Sequence, residues 1–168
     1  LKMNPSLKSS EDVAALWGAL KDGRIDMVAT DHAPHTLAEK DNPDARQVPS
    51  GVPCVENMLG IMLDCAMRGL CSVEQVIAWC CESPARVYGL EGKGRIEVGM
   101  DADLVLIDPK AEHAVANAGQ FTKCGWSPWD GVVLKGGWPV LTMVGGQVAF
   151  ERGRVNHDCR GSNPVRAG

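Results

Sequence analysis

Two side chains near the start of the sequence have the types and spacing for acid–base and metal chemistry. Asp31 and His35 stand four residues apart, and Pro34 constrains the turn between them. A carboxylate can bind zinc and can also carry a proton during a reaction. At the C-terminal end of a strand in a parallel α/β barrel, both side chains would face one ligand. The same residues also fit a helix-capping aspartate followed by surface histidines, so the motif by itself leaves two interpretations open.

The segment before Asp31 predicts one helix and one strand. Ser9 and Asp12 have the spacing of a capping box, and apolar residues then recur every three or four positions. This pattern predicts a helix that Gly23 ends. Residues 25–30 form a short apolar run with β propensity, which predicts a buried strand of the parallel type. The strand would deliver Asp31 at its C-terminal end.

Residues 36–53 and the segment after them predict a long loop and two more helices. The loop is polar and broken by prolines, and long ordered loops in compact domains are usually functional. One helix is predicted from about Val55 to Arg68. Its buried side is predicted to consist of Val55, Leu59, Met62, Ala66 and Met67. Another helix is predicted from a cap at Ser72 and is expected to end before Pro84.

A change of pattern near residues 90–95 predicts a boundary between an α/β part and a small all-β part. Residues 103–108 are apolar and flanked by aspartates, which predicts a strand. Residues 140–144 and 147–150 flank Gly145-Gly146. Two glycines between apolar runs are a hairpin signal, because the turn requires positive φ. The second part of the chain is therefore expected to be built from antiparallel strands.

The composition excludes several classes of protein. At 45% hydrophobic and 23% charged, the 168 residues are typical of a soluble globular protein. A net charge of −4 without a basic cluster argues against a nucleic-acid partner. No apolar run approaches the ~20 residues that a membrane span needs. The seven cysteines form no Cys-x-x-Cys pair, so we expect free thiols in a reducing, cytoplasmic compartment.

Several motifs, in the right order along the chain, resemble those of dihydroorotases in the amidohydrolase superfamily. Residues 30–36 closely resemble the dihydroorotase signature at the end of the eighth barrel strand. Residues 2–7 resemble the loop after strand seven, although Ser6 stands where the family usually has proline. Residues 49–53 resemble the loop on the substrate side, and residues 126–131 are similar to the dihydroorotase tail.

The resemblance implies an α/β fold: the C-terminal part of a TIM-type (β/α)8 barrel plus part of a small flanking all-β sandwich. Residues 1–92 would run from the loop after strand seven through the last barrel helices. Residues 93–155 would form part of the composite sandwich domain, and residues 156–168 a disordered tail. Because the chain opens at Leu1 and contains no His-x-His pair, we expect it to be a fragment that lacks most of the metal ligands.

The activity implied by the resemblance is that of a zinc-dependent cyclic amidohydrolase. A dihydroorotase reversibly hydrolyses the cyclic amide of dihydroorotate to N-carbamoyl-aspartate in de novo pyrimidine biosynthesis. The complete enzyme would hold two zinc ions, and Asp31 is the only ligand matched in this chain. Asp31 would also be the catalytic proton carrier, first as a base and then as an acid.

The substrate contacts implied by the resemblance come from three loops. Asn4 and His35 would hold the carboxylate and the ring of the substrate. The loop at Ser50 and Gly51 would bind the ring through main-chain groups, because glycine allows close approach. His32 is expected to have a supporting or structural role.

Other interpretations lie close to this one. The protein could be a non-catalytic dihydroorotase-like partner of aspartate transcarbamoylase, or another cyclic amidohydrolase of the allantoinase or dihydropyrimidinase type. The isolated chain is expected to be inactive, with apolar faces that favour self-association or binding to the missing N-terminal part of the barrel.

Overall fold

The helices lie in the first 88 residues of the chain, in a computed structural model that describes residues 1–162 and residue 164. The α-helices are α1 (Ser10–Lys21), α2 (Leu37–Lys40), α3 (Met58–Met67), α4 (Val73–Ile77) and α5 (Ser83–Tyr88). A π-helical turn, Ala78–Glu82, joins α4 to α5, and a short 3₁₀ turn, Asn117–Gly119, lies among the strands.

Side-chain caps begin three of these helices. The predicted caps at Ser9 and Ser72 both form, and each hydroxyl accepts a hydrogen bond from the main-chain N–H three residues later. Gly23 adopts a φ of 79° just beyond the end of α1, which confirms the predicted stop. A third capping box, Thr36 with Glu39, begins α2 within the segment that the sequence predicts to be a loop.

The predicted end of the third helix before Pro84 is wrong. Helical turns continue from Val73 to Tyr88, and Pro84 lies in the first turn of α5. A proline inside an α-helix normally breaks it because proline has no N–H. Here the wider π turn over Ala78–Glu82 precedes the proline, and the first turn of a helix needs no N–H partner within the helix. Gly89 then ends α5 in the left-handed conformation.

α3 begins later than predicted, and part of its predicted buried side is exposed. Met62 is buried, but Val55 and Met67 expose 58% and 55% of their surfaces. Asn57 is the residue that turns inward, at 1% exposure. Its amide donates two hydrogen bonds into the segment 120–127, which leaves the preceding turn, with Val55, at the surface.

A small apolar core holds α1, α3 and the α4–α5 run together. Leu20, Met62, Val76 and Trp79 are buried in one cluster. The ring of Trp17 packs at a tilt against that of Trp79, with centroids 6.2 Å apart. Burial of one such side chain contributes about 1.5–3 kcal/mol to folding. Of the apolar stripe of α1, Leu20 is buried and Trp17 partly buried as the sequence predicts, whereas Val13 and Leu16 expose 45% and 50% of their surfaces.

The predicted buried strand at residues 25–30 does not form in the part of the chain that the structure describes. A strand requires a ladder of main-chain hydrogen bonds to a neighbouring strand. The N–H of Val28 donates instead to the carbonyl of Trp79, at 3.1 Å. Ile25 and Val28 still pack against the helical core. The segment is therefore irregular and partly buried, and Ile25 and Val28 cover helices.

The strands are β1 (Leu104–Asp108), β2 (His113–Ala114), β3 (Val133–Leu134), β4 (Trp138–Val144), β5 (Gln147–Glu151) and β6 (Arg154–Val155). Four of them form an antiparallel sheet of order β1-β4-β5-β6, and β2 pairs with β3. The predicted hairpin forms between β4 and β5, where Gly145 and Gly146 have φ values of 55° and 79°. Both the hairpin and the predicted first strand are confirmed.

The domain boundary near residues 90–95 and the tail at residues 156–168 remain predictions. The last described helix precedes this boundary and the first strand follows it. The N–H of Asn156 donates to the carbonyl of Ala149 at 2.8 Å, so the segment is bonded to β5 where it begins. The rest of the predicted tail falls partly outside the described residues.

Two further features concern the chain as far as it is described. None of its helices combines the length and the apolar character needed to cross a membrane. All seven cysteines are free thiols. Burial raises the pKa of the Cys80 thiol to about 11, with smaller contributions from Cys81 and Cys71. That thiol is therefore protonated at neutral pH and unreactive.

Candidate active site

Three loops carry the residues that the sequence marks as candidates for chemistry. We call them the asparagine loop (residues 2–5), the aspartate turn (residues 31–35) and the glycine loop (residues 49–53). Main-chain hydrogen bonds join them. The N–H of Ala33 donates to the carbonyl of Val52 at 3.1 Å, and the N–H of Gly51 donates to the carbonyl of Lys2 at 3.1 Å. The glycine loop therefore lies between the other two loops and is bonded to both.

Gly51 allows the glycine loop to approach the aspartate turn. Its φ is 112°, a conformation that residues with a side chain rarely adopt. A Cβ atom at this position would lie 2.4 Å from the Cβ atom of Ala33. The close approach at Gly51 is thus to Ala33, and the predicted contact of Gly51 with a substrate ring stays a prediction.

The ammonium group of Lys40, at the end of α2, also bonds to these loops. It donates to the main-chain carbonyls of Lys2 at 3.1 Å, Pro49 at 2.7 Å and Gly51 at 2.8 Å. Burial lowers the pKa of Lys40, and the nearby charge of Lys2 lowers it further. Sequence reasoning missed this residue, because a single lysine in a polar loop carries no spacing signal.

Asp31 lies at the start of the aspartate turn with its side chain exposed. Its φ of 44° places the main chain in the left-handed region, which aspartate tolerates better than most residues. Cys54 lies near enough for the charge of this carboxylate to affect its thiol. Burial raises the pKa of the Cys54 thiol, and the negative charge of Asp31 raises it further. The candidate carboxylate therefore faces solvent beside a half-buried thiol.

His32 supports the aspartate turn. Its Nδ1 atom accepts hydrogen bonds from the main-chain N–H groups of Cys54, at 3.0 Å, and Val55, at 3.2 Å. A ring nitrogen that accepts carries no proton, so the neutral ring has its proton on Nε2. The imidazole thus connects the aspartate turn to the segment just before α3, in agreement with the supporting role expected for His32.

A residue from the β-rich part of the chain, Trp126, holds the main chain of His35 by a hydrogen bond. Its carbonyl accepts a hydrogen bond from the indole Nε1 of Trp126, at 2.7 Å, and Trp126 is only 4% exposed. The N–H of His35 donates to the carbonyl of Ala33 at 3.1 Å. The side chain of His35 is half-buried and is not used in these contacts. Sequence reasoning did not identify this indole donor.

The segment 120–127 closes one side of the aspartate turn. The carboxylate of Glu56 accepts hydrogen bonds from the N–H groups of Phe121, at 2.9 Å, and Thr122, at 3.3 Å. A cleft of about 510 Å³ lies between this segment and the turn, with His32 and Lys123 among its lining residues. The turn that carries Asp31 is therefore held from both parts of the chain.

The predicted site residues lie in neighbouring loops without direct contact. The side chain of Asn4 is exposed and that of Ser50 is half-buried. Within the described residues, no hydrogen bond joins the side chains of Asn4, Asp31, His35 and Ser50. The same residues hold no group of three His, Cys, Asp or Glu side chains suited to bind a metal ion. A role of Asp31 as a metal ligand therefore stays a prediction.

Comparison with known proteins places these loops in context. The model of the amidohydrolase family matches residues 3–149. A dihydroorotase from Halobacterium salinarum is 45% identical over 155 residues, which cover 92% of this chain and 36% of that protein. A dihydroorotase from Methanosarcina mazei is 40% identical over 157 residues, which cover 92% of this chain and 34% of that protein.

A solved structure has the same fold over most of the chain. The L-hydantoinase (dihydropyrimidinase) from Arthrobacter aurescens superimposes with a TM-score of 0.85 and 34% identity, over 92% of this chain and 35% of that protein. The chain spans about a third of the length of the curated relatives it matches.

Proposed function

The chain belongs to the amidohydrolase family, and we propose that the whole protein is a dihydroorotase. In this proposal it hydrolyses the ring amide of dihydroorotate, reversibly, to N-carbamoyl-aspartate. The chain would contribute the last part of a TIM-type barrel and part of a flanking β-sandwich, with the change from one to the other near residues 90–95. The likeness to two archaeal dihydroorotases over 92% of the chain supports this choice of substrate.

The observation that carries the proposal is the joining of the three loops. The asparagine loop, the aspartate turn and the glycine loop are linked by two main-chain hydrogen bonds and by the ammonium of Lys40. A cyclic amide with a carboxylate needs a proton carrier, a partner for its charge and main-chain donors for its ring. These three loops offer one group of each kind: Asp31, His35 and the main chain around Gly51.

The residues fit a zinc site as one part of a shared ligand set. Asp31 has an exposed carboxylate on a constrained turn, and carboxylate oxygen is a normal zinc ligand. Zinc sites use three or four protein ligands, so Asp31 would act together with residues beyond this sequence. Two zinc ions, when bound, would supply hydroxide at neutral pH by lowering the pKa of water to about 7.

Asp31 would move the proton of the reaction. During attack on the ring carbonyl, the carboxylate accepts the proton of the attacking hydroxide. The same proton then passes to the departing ring nitrogen, which leaves as the neutral NH2 of a carbamoyl group and not as an anion. One carboxylate used first as a base and then as an acid satisfies the proton balance of hydrolysis. Because the side chain is exposed, it has room to turn between the two positions.

The other predicted residues would hold the substrate. A ring N–H of His35 would donate to the substrate carboxylate, and a hydrogen bond to a charged group of this kind is worth about 1.5–3 kcal/mol. Asn4 would bind the same end of the substrate from the asparagine loop. Ser50 and Gly51 would bind the ring through main-chain groups; because the N–H of Gly51 is bonded to Lys2 and its carbonyl to Lys40, Gly51 would contribute the second lone pair of that carbonyl.

A second candidate is favoured by the structural likeness to a hydantoinase. Hydantoinases act on cyclic amides, and the whole protein could be a dihydropyrimidinase-type enzyme. The two candidates differ in what His35 faces, because a dihydropyrimidine without a carboxylate offers no charged acceptor to the ring N–H of His35. Parallel assays of the whole protein with dihydroorotate, dihydrouracil and hydantoin separate them. Preference for either uncharged ring would assign the second activity.

The experiment that tests the proposal is Asp31→Asn in the whole protein, with Asp158→Asn as a control at another exposed aspartate. An amide binds metal poorly and cannot carry the proton. We expect kcat for dihydroorotate to fall by at least about 100-fold, the lower end for loss of a general acid–base group. Zinc content by mass spectrometry and the melting temperature are measured on the same samples. A zinc-replete Asp31→Asn protein with near-normal turnover would contradict the assignment.

A further inference from the structure

The ammonium of Lys40 makes three hydrogen bonds within the candidate site. It donates to three main-chain carbonyls, those of Lys2, Pro49 and Gly51, at distances between 2.7 and 3.1 Å. A lysine ammonium has three N–H donors and no acceptor. One carbonyl for each donor therefore completes its hydrogen bonding.

The carbonyl arrangement depends on a cation. Three carbonyl oxygens that point at one spot repel each other, because each is the negative end of a peptide dipole. In a half-buried position this repulsion is screened less than it is in water. Pro49 has no N–H, so the main chain of Pro49 itself can be held only through its carbonyl. Lys40 removes the repulsion and links two loops through a single atom.

Lys40 also connects both loops to the aspartate turn, through α2. α2 begins at the capping box of Thr36 with Glu39, directly after His35, and ends at Lys40. The ammonium is therefore carried by a rigid turn of helix that starts where the aspartate turn stops. A shift of this helix would move the asparagine loop and the glycine loop together relative to Asp31.

We propose that Lys40 is a positioning residue that sets the spacing between the two substrate-holding loops and the aspartate turn. This inference rests on the proposed function for its choice of substrate. Lys40 contacts no reacting atom in the proposal, and it acts through Gly51 and the asparagine loop. Loss of its donors is therefore expected to weaken substrate binding more than it slows the chemical step.

The first test is Lys40→Met in the whole protein, which keeps an unbranched side chain and removes the three donors. Lys110→Met is the matched control, since Lys110 is exposed and remote in sequence from all three loops. We expect KM for dihydroorotate to rise by about 10-fold or more, because charged hydrogen bonds are lost. We expect kcat to change by less than about 3-fold and zinc content to stay the same, since the bonds of Lys40 go to Lys2, Pro49 and Gly51 and not to Asp31.

Lys40→Arg gives a second test with a milder change. The guanidinium keeps the positive charge, but its donors spread over a planar fork and cannot meet three carbonyls at one point. We expect KM to lie between those of the wild type and the methionine variant. A role that depends on charge alone would instead give the wild-type KM, and that result would overturn the positioning role. If the methionine variant does not fold, the arginine variant decides the question.

Hydrogen–deuterium exchange tests the positioning role of Lys40 without any substrate. In Lys40→Met, the amides of the asparagine loop and the glycine loop should exchange faster, and those of β4 and β5 should not change. If wild-type protein fails to hydrolyse dihydroorotate but this pattern appears, the proposed function is contradicted and the positioning role of Lys40 is supported. Unchanged exchange in both loops, or a loss of kcat together with zinc at constant KM, overturns the inference.

Discussion

Substitution of Gly51 by alanine tests whether close approach of the glycine loop is essential to the candidate site. The change adds one methyl group and no charge. It acts at the residue whose N–H and carbonyl bond to Lys2 and Lys40 respectively. Any effect on activity therefore reports on the placement of the loop.

Two costs follow from the structure. A residue with a Cβ atom at a φ of 112° is strained by about 1–3 kcal/mol. The new methyl group would also lie 2.4 Å from Ala33 Cβ, whereas ordinary contact begins at 3.4 Å. Relief of this overlap requires a shift of about 1 Å or an overpacking cost of about 1–3 kcal/mol. A misplacement of about 1 Å at a reacting site costs roughly 100-fold in rate.

The assay compares Gly51→Ala with Gly69→Ala in the whole protein. Gly69 also has a positive φ, 76°, but an added Cβ atom there meets nothing within 4 Å. The control therefore shares the main-chain strain and lacks the overlap. We expect kcat/KM for dihydroorotate to fall by about 100-fold in Gly51→Ala. The control should lose about 1–2 kcal/mol of stability and keep its activity.

Equal activity in the two variants would refute the reasoning. Such a result would mean that the glycine loop moves away from Ala33 without consequence for the substrate. A loss in both variants, matched by equal losses of unfolding free energy, would assign the effect to strain alone. Urea denaturation of each protein supplies the free energies that this comparison needs.

Two further predictions concern groups around His35. In His35→Ala, KM for dihydroorotate should rise by about 10- to 150-fold with zinc content unchanged, because a charge-assisted bond is lost; His157→Ala is the control, and loss of zinc would show that His35 is a metal ligand. In Trp126→Phe, the carbonyl of His35 loses its 2.7 Å donor, so the free energy of unfolding should fall by about 1–3 kcal/mol. Trp129→Phe is the control for the second change, and equal destabilisation in both tryptophan variants would mean that packing, not the indole N–H, supports the turn.

The local signals in the sequence predict the helix starts and the hairpin well. Capping boxes at Ser9 and Ser72 act within one turn of helix, and the pair Gly145-Gly146 acts within a two-residue turn. Such features depend on neighbouring residues alone, so tertiary contacts seldom override them. The same reasoning applied to Thr36 and Glu39 would have found α2.

The wrong predictions depend on partners that a local pattern does not contain. Residues 25–30 have the composition of a buried strand, but strand formation requires a second strand beside them. Val55 fits the apolar stripe of α3, yet the hydrogen bonds of Asn57 to the segment 120–127 decide which side turns inward. Pro84 normally ends a helix, and only the π turn before it allows α5 to follow.

The candidate site divides its work between two kinds of residue, and this division explains what sequence reasoning finds and misses. Asp31 and Asn4 have exposed side chains, and within the described residues these side chains make no hydrogen bond to the other loops. The side chains of Lys40, His32 and Trp126 bond to main-chain atoms in these loops or directly after them. A reactive group can be recognised from its residue type. A side chain that hydrogen-bonds to the main chain of a loop can be recognised only when the positions of the main-chain atoms are known. Because reactive groups and positioning residues are different side chains, substitution of Lys40, His32 or Trp126 should alter the geometry of substrate binding and leave the proton carrier Asp31 intact.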